Sequence, residues 1–312
     1  MPRLDTPPPI PPAWLPPGRT ELLEGRGETF FRDSGPDTAK RGTLLLLHGW
    51  TVTADLNWVF AYRPLVEAGY RVIAPDHRGH GRGLRTQAAF RLEDCARDAA
   101  QLVRQLNCGP VTLVGYSMGG AIAQLVARDN PELVEGLVLC ATALHWTGPL
   151  DRVAWFGMRM FQWVLRMFSN RVWRGILRQV SRPDAQRDAW ILSEYSRGSA
   201  DAIAEAGQDL GRFDSRPWIG SIGTPIAVVI PDHDRLIPPA RQREMAATVP
   251  NAVSFIARGD HGDMLLQDTP LVDAIRQAVE DVRQRRPISA TPLVGRALAR
   301  LGRRSLPPPE IA

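Results

Sequence analysis

The hydrophobic positions of this chain fall into short runs that alternate with segments of helical periodicity from about residue 28 onward. Apolar, strand-like runs lie at 28–35, 43–47, 70–74, 111–114, 137–140 and 226–230. Several are almost continuously apolar, as parallel strands buried on both faces are. Apolar residues recur at helical spacing over 92–106 and 118–128. The alternation predicts an α/β fold with a mostly parallel central sheet and helices on both faces.

The alternation stops between residues 145 and 216, where the pattern is helical and rich in Trp, Met and Phe. We predict that 145–216 is a helical cap inserted into a core formed by 25–144 and 217–285. Residues 1–24 are rich in proline, which predicts an extended N-terminal arm. Residues 286–312 are basic and lack periodicity, which predicts a C-terminal tail.

The composition is typical of a globular domain, with 44 % hydrophobic and 23 % charged residues in 312. No apolar run is long enough to cross a membrane or to form a signal peptide. Cys95, Cys108 and Cys140 are scattered, which argues against a disulfide framework and a zinc site, so we expect a cytoplasmic protein. The net charge of +5 comes without a nucleic-acid-binding motif. A membrane surface is a candidate partner for the basic tail alone.

The strongest chemical signal is the segment Gly115-Tyr116-Ser117-Met118-Gly119-Gly120. It matches G-x-S-x-G and lies between a predicted strand and a predicted helix, the context in which this pattern presents a nucleophilic serine. The sharp turn leaves room only for small neighbours, which the glycines supply. We predict Ser117 as a nucleophile and the Met118 N–H, at the start of a helix, as a donor to an oxyanion.

A second donor is expected from the loop that follows an earlier strand. The segment Leu47-His48-Gly49-Trp50 ends such a strand, and the Trp50 N–H is the candidate. His77 and His80 have the spacing of a metal site, but they lie in a glycine-rich turn without an obvious third ligand. We therefore expect no metal and no organic cofactor.

These motifs together resemble the α/β-hydrolase superfamily, and in particular its serine esterases and lipases with a helical cap. The resemblance rests on LLLLHGW, PDHRGHG at 75–81, GYSMGG, DRLIP at 234–238 and His261, in this order, and it covers about residues 25–285. It implies a base at His261 and an acid on the loop after 226–230. Both Asp232 and Asp234 lie there. Asp234 fits the family pattern better because Pro238 follows four residues later, although Pro231 replaces the usual glycine.

The resemblance implies a serine hydrolase that cleaves a carboxylic ester or thioester through an acyl-enzyme. The apolar side chains of the cap favour a lipophilic acyl group. Two alternatives stay open: a perhydrolase or haloperoxidase-like enzyme of the same fold, and a non-catalytic member that binds a small ligand. The expected partner is a small acyl ester, without nucleic acid.

Overall fold

An eight-stranded sheet runs through the structure, a computed structural model that describes residues 10–148, 155–180 and 184–285. Its strands are β1 (Gly18–Leu23), β2 (Gly27–Asp33), β3 (Thr43–Leu47), β4 (Arg71–Pro75), β5 (Val111–Tyr116), β6 (Val134–Cys140), β7 (Ile226–Pro231) and β8 (Val253–Ala257). The spatial order is β1-β2-β4-β3-β5-β6-β7-β8. β2 runs antiparallel to both of its neighbours, and all other pairs are parallel. The predicted mostly parallel α/β sheet is therefore confirmed.

Helices cover both faces of this sheet. They are α1 (Ala54–Trp58), α2 (Tyr62–Glu67), α3 (Leu92–Gln105), α4 (Met118–Asp129), α5 (Met158–Val180), α6 (Ala185–Tyr195), α7 (Ala200–Leu210), α8 (Pro239–Thr248) and α9 (Pro270–Gln284). One core cluster packs α3, α4 and Met245 of α8 on one face, and a second packs α1, α2 and α9 on the other. β3 shows why its apolar run is continuous: Leu45 and Leu47 belong to the first cluster, whereas Leu44 and Leu46 belong to the second.

β1 lies inside the segment 1–24 that the sequence indicated as an extended arm. Five of its six residues are exposed or half-buried, and only Leu23 is fully buried. An edge strand of this kind lacks the apolar alternation by which strands are recognised in a sequence. Residues 1–9 and the basic tail at 286–312 lie outside the described residues.

The segment between β6 and β7 carries helices α5, α6 and α7 and returns to its starting point, because His145 forms an isolated bridge with Asp214. Glu194 of α6 accepts hydrogen bonds from Thr53 (3.0 Å) and Arg82 (3.1 Å), and both residues belong to the core. Carboxylates of α7 accept from the main chain at Phe90 and Leu92. These polar contacts fix the helical segment over the carboxyl ends of the strands. The boundaries of the predicted cap stay a prediction.

The strand order brings the predicted site together. β3 and β5 are adjacent, with Leu47 paired to Gly115, so the loop after Leu47 and the turn at Ser117 start side by side. β6, β7 and β8 follow in order, and Asp234 and His261 lie on the loops after β7 and β8. Loops after parallel strands meet at one edge of a sheet, where ligand sites of α/β folds are found.

Candidate active site

Ser117 occupies a strained turn between β5 and α4. Its backbone has φ 55° and ψ −117°, and residues other than glycine rarely adopt such a positive φ. Two main-chain contacts hold it there: the Ser117 N–H donates to the carbonyl of Cys140 at 2.9 Å, and the Thr142 hydroxyl donates to the carbonyl of Ser117 at 2.8 Å. The Ser117 hydroxyl therefore stands at a fixed point above the sheet edge.

The small residues around Ser117 are needed for close packing of the backbone. A Cβ at Gly115 would clash with the main chain of Gly119, and a Cβ at Gly119 would clash with the carbonyl of Leu47. Both neighbours are backbone, which cannot move aside without displacing a strand or helix. The two glycines thus permit the close approach of α4 to β3 and β5 that places Ser117 beside the loop after β3.

A continuous chain of hydrogen bonds joins the three predicted catalytic side chains. His261 Nε2 lies 3.1 Å from Ser117 Oγ, and His261 Nδ1 lies 2.8 Å from Asp234 Oδ2. The Ser117 residue is 8 % exposed and the His261 side chain is 16 % exposed, so solvent reaches both only in part. The order serine, imidazole, carboxylate is the arrangement in which the imidazole accepts the hydroxyl proton and the carboxylate orients it.

Asp234 is held by three donors besides His261. Its Oδ1 accepts from the main-chain N–H groups of Leu236 (2.9 Å) and Ile237 (2.8 Å), and its Oδ2 accepts from the Gln242 side chain at 3.0 Å. The residue is buried, so these bonds replace water around the carboxylate. They also fix the side chain at the position from which it contacts His261.

Asp232, the other candidate acid, faces away from His261. Its carboxylate contacts the ring of His233 and accepts from the Gly259 N–H at 3.0 Å, and these bonds lower the pKa of the Asp232 carboxyl. The structure thus distinguishes the two candidate acids that the sequence left open, because only Asp234 contacts the imidazole of His261.

Tyr116 supports the base from behind and was not singled out in the sequence. Its phenol donates a hydrogen bond of 2.8 Å to the main-chain carbonyl of His261, and the two rings lie 5.5 Å apart. Burial and the nearby Asp234 charge raise the pKa of Tyr116 well above its ordinary value, so the phenol stays a donor at neutral pH. The position of the residue directly before Ser117 gave no sign of this contact.

The two predicted oxyanion donors belong to the loop after β3 and to the first residue of α4. Asn57 accepts from the Gly49 N–H at 2.8 Å and fixes the loop after β3, where a Cβ at Gly49 would lie 3.4 Å from the Ser117 Cβ. The Trp50 indole donates to the carbonyl of Ile203 in α7 at 2.7 Å. Within the described part of the chain, the backbone N–H groups of Trp50 and Met118 donate no hydrogen bond.

The glycine-rich turn at 76–81 packs its histidines against His48. The ring of His48 lies 4.2 Å from that of His77 and 5.6 Å from that of His80, and all three residues are buried. Burial lowers the pKa of His48 to about 4 and, with the His48 charge, that of His80 to about 3. Among residues 10–148, 155–180 and 184–285, no three His, Cys, Asp or Glu side chains are grouped to hold a metal ion.

With this geometry in place, comparison with known proteins defines the family. Residues 42–268 match the α/β-hydrolase fold family, so the chain belongs to that family. It is similar to a non-heme haloperoxidase from Rhodococcus erythropolis, with 29 % identity over 71 % of this chain and 84 % of the relative. It is also 28 % identical to a poly(3-hydroxyalkanoate) depolymerase from Ectopseudomonas oleovorans, over 81 % and 89 % of the two chains. Its fold matches that of a thermophilic esterase from Thermogutta terrifontis, with a TM-score of 0.72, 22 % identity and coverage of 86 % and 99 %.

Proposed function

We propose that the protein is a serine hydrolase that cleaves a carboxylic ester or thioester with a lipophilic acyl group. The observation that carries the proposal is the hydrogen-bond chain from Ser117 Oγ through His261 to Asp234, next to two unengaged backbone N–H groups. Acyl transfer needs a nucleophile, a base with an orienting acid, and two donors for the oxyanion. The site supplies each of them from this chain.

In the first step, Ser117 Oγ attacks the acyl carbon while His261 Nε2 takes the hydroxyl proton. Asp234 stabilises the resulting imidazolium through Nδ1. The negative charge on the acyl oxygen is held by the N–H groups of Trp50 and Met118, and the N-terminal end of α4 adds its favourable dipole. Collapse of the tetrahedral intermediate breaks the bond to the alcohol or thiol, which leaves with the proton from His261.

In the second step, water attacks the acyl-enzyme and gives a proton to His261. Collapse of this intermediate releases the carboxylic acid and returns the proton to Ser117. The cycle needs no metal or organic cofactor, because each proton transfer and charge has a partner among the named residues.

The surroundings of Trp50 support a lipophilic acyl group. The Trp50 ring lies 5.9 Å from that of Trp155 and 6.0 Å from that of Phe161. Met158 and Trp50 both pack against Gly207 of α7, where an added Cβ would lie 2.7 Å from the Met158 sulfur and 3.0 Å from the Trp50 ring. Apolar and aromatic side chains of this kind line sites for apolar ligands. Their position around Trp50, whose N–H is a proposed oxyanion donor, favours a lipophilic over a polar acyl group.

The haloperoxidase relative favours a second candidate activity. An acyl-enzyme releases its acyl group to whichever nucleophile reaches it, and hydrogen peroxide in place of water would give free Ser117 and a peroxycarboxylic acid. The site would then be a perhydrolase that uses the same three residues. The two activities differ only in the acceptor of the acyl group. A third reading, a non-catalytic ligand-binding protein, leaves the hydrogen-bonded Ser117 without a role.

Hydrolysis of p-nitrophenyl esters from acetate to palmitate tests the proposal. We expect an optimum above acetate and a loss of at least about a thousandfold in kcat with Ser117→Ala. Ser221→Ala, an exposed serine on the surface, is the matched control and should leave the rate unchanged. Peroxycarboxylic acid formed from an ester and hydrogen peroxide, and abolished by Ser117→Ala, would favour the perhydrolase. No turnover with any acceptor would contradict both activities.

A further inference from the structure

The outward face of α5 and the turn before it carries a stripe of exposed apolar side chains. Phe156, Met160, Trp163 and Met167, here called the α5 stripe, are 91 %, 65 %, 55 % and 60 % exposed. Met160, Trp163 and Met167 lie on one side of α5 by their spacing of three and four residues, and Phe156 precedes them in the turn before α5. Single exposed apolar residues are common on proteins, whereas a contiguous patch marks a surface that meets a partner.

The stripe does not result from a helix that lacks a buried side. α5 is kinked at Phe168, where φ is −138° and ψ is 27°. Before the kink, Met158 and Leu165 are buried on the side opposite the stripe, and beyond the kink Trp173 and Leu177 are buried with α6 in the same apolar cluster as Leu165. The helix therefore satisfies the core with one face and presents a second apolar face to solvent. A soluble cap needs only the first of these faces.

The charged side chains of α5 and of the turn before it are all basic. Arg159, Arg166, Arg171 and Arg174 are exposed, and the sequence from 155 to 180 contains no Asp or Glu. One of the four, Arg166, contacts Asp201 of α7 at 2.7 Å. Apolar side chains that include Trp and Phe, flanked by arginines, are the pattern by which helices lie in the plane of a membrane interface. Arginines near such a surface attract anionic lipid headgroups.

A second copy of this chain fits the surface poorly. In a two-fold symmetric contact, the α5 stripe of one copy would meet that of the other. The flanking arginines would then face arginines, since this segment supplies no acidic partner, and like charges oppose such a contact.

We propose that the α5 stripe docks the protein on an anionic lipid surface. Phe156, Met160, Trp163 and Met167 enter the boundary between headgroups and acyl chains, and the arginines contact lipid phosphates. No helix in the described residues is both long and apolar enough to cross a membrane. In the proposed docking, α5 lies along the surface, because its other side is packed against the protein. On its inner side, Phe161 contacts the Trp50 ring, so docking places the cap above the site against the lipid.

This proposal does not rest on the proposed function, and binding can be measured without catalysis. The full chain is sedimented with vesicles of phosphatidylcholine that contain about one quarter phosphatidylglycerol, and with vesicles of phosphatidylcholine alone. We expect binding to the first, weakened when NaCl rises from about 0.1 M to about 0.5 M. The double variant Met160→Gln/Trp163→Gln should bind at least about tenfold more weakly. Arg171→Gln and Arg174→Gln should each lower affinity about fivefold.

Leu22→Gln is the matched control, because Leu22 is 64 % exposed on β1, away from the stripe. It should bind as the unaltered protein does. All variants should keep their melting temperature and their hydrolysis of the soluble ester p-nitrophenyl acetate, which separates docking from folding and chemistry. If the double variant bound the anionic vesicles as strongly as the unaltered protein does, the proposal would be overturned. Binding would then be due to the remaining basic residues, including those of the C-terminal tail. Failure to bind the anionic vesicles, or a dimer in sedimentation that the double variant abolishes, would also overturn it.

Discussion

The phenol of Tyr116 donates a hydrogen bond of 2.8 Å to the main-chain carbonyl of His261, so the residue before the nucleophile holds the residue that would act as its base. This contact couples the end of β5 to the loop after β8 across two intervening strands. The separation of 3.1 Å between Ser117 Oγ and His261 Nε2 therefore depends on a tyrosine that takes no part in proton transfer.

Tyr116→Phe should lower kcat about tenfold and the free energy of unfolding by about 1 kcal/mol, because it removes one buried hydrogen bond and loosens His261. Ester hydrolysis and urea unfolding measure the two effects. Tyr62→Phe is the control, since the buried Tyr62 hydroxyl has no partner among the described residues and its loss should cost neither rate nor stability. An unchanged kcat in Tyr116→Phe would show that the bond does not position the base.

Substitution of each candidate acid by asparagine, in separate variants, distinguishes the role of Asp234 from that of Asp232. Asp234→Asn should lower kcat by up to about four orders of magnitude, because the amide would hold His261 in the wrong tautomer. Asp232→Asn should change kcat by less than about threefold, because its carboxylate contacts His233 and Gly259 and not His261. Ester hydrolysis by both purified variants is the measurement. A larger loss in Asp232→Asn than in Asp234→Asn would contradict the assignment.

The buried histidines should make stability depend on mildly acidic pH. Unfolded histidines take up protons near their ordinary pKa of 6.5, whereas burial holds the pKa of His48 at about 4 and that of His80 at about 3. Below pH 6.5 protons therefore favour the unfolded chain. As the pH is lowered, the free energy of unfolding decreases by about 1.4 kcal/mol per pH unit for each histidine, until the pKa of that histidine in the folded protein is reached. His77, also held well below its usual pKa by burial, adds to this effect.

Urea unfolding between pH 7 and pH 4.5 measures this loss. His233→Gln is the control, because the side chain of His233 is 71 % exposed and its removal should leave the slope unchanged. Stability that stays constant down to about pH 5 would show that the cluster of His48, His77 and His80 is already protonated in the folded protein.

Much of the fold and the core of the site was predictable, because both depend on local constraints. The strands buried on both faces must be continuously apolar, so β3, β5, β6 and β7 were recognised from their residues. The turn at Ser117 admits only small neighbours, so the glycines at 115 and 119 indicated its place.

The remaining features depend on tertiary contacts that leave no local pattern. β1 is an edge strand with one fully buried residue, so nothing in its sequence separates it from an extended arm. The Tyr116 phenol contacts a residue 145 positions away. Asn57 and Gln242 contact residues only eight positions away, but those contacts depend on the folded shape of their loops and follow no motif. The histidines at 77 and 80 were expected in a turn, but their packing against His48 follows only from the adjacency of the loops after β3 and β4.

Covalent labelling shows whether Ser117 is an activated nucleophile. The intact protein is incubated with a fluorophosphonate, and the modified peptide is identified by mass spectrometry. We expect one added group, on the peptide that contains Ser117, with labelling lost in Ser117→Ala and slowed by at least about a hundredfold in His261→Ala. A protein that keeps its fold but is not labelled, or is labelled at another serine with Ser117 unmodified, would contradict this role of Ser117.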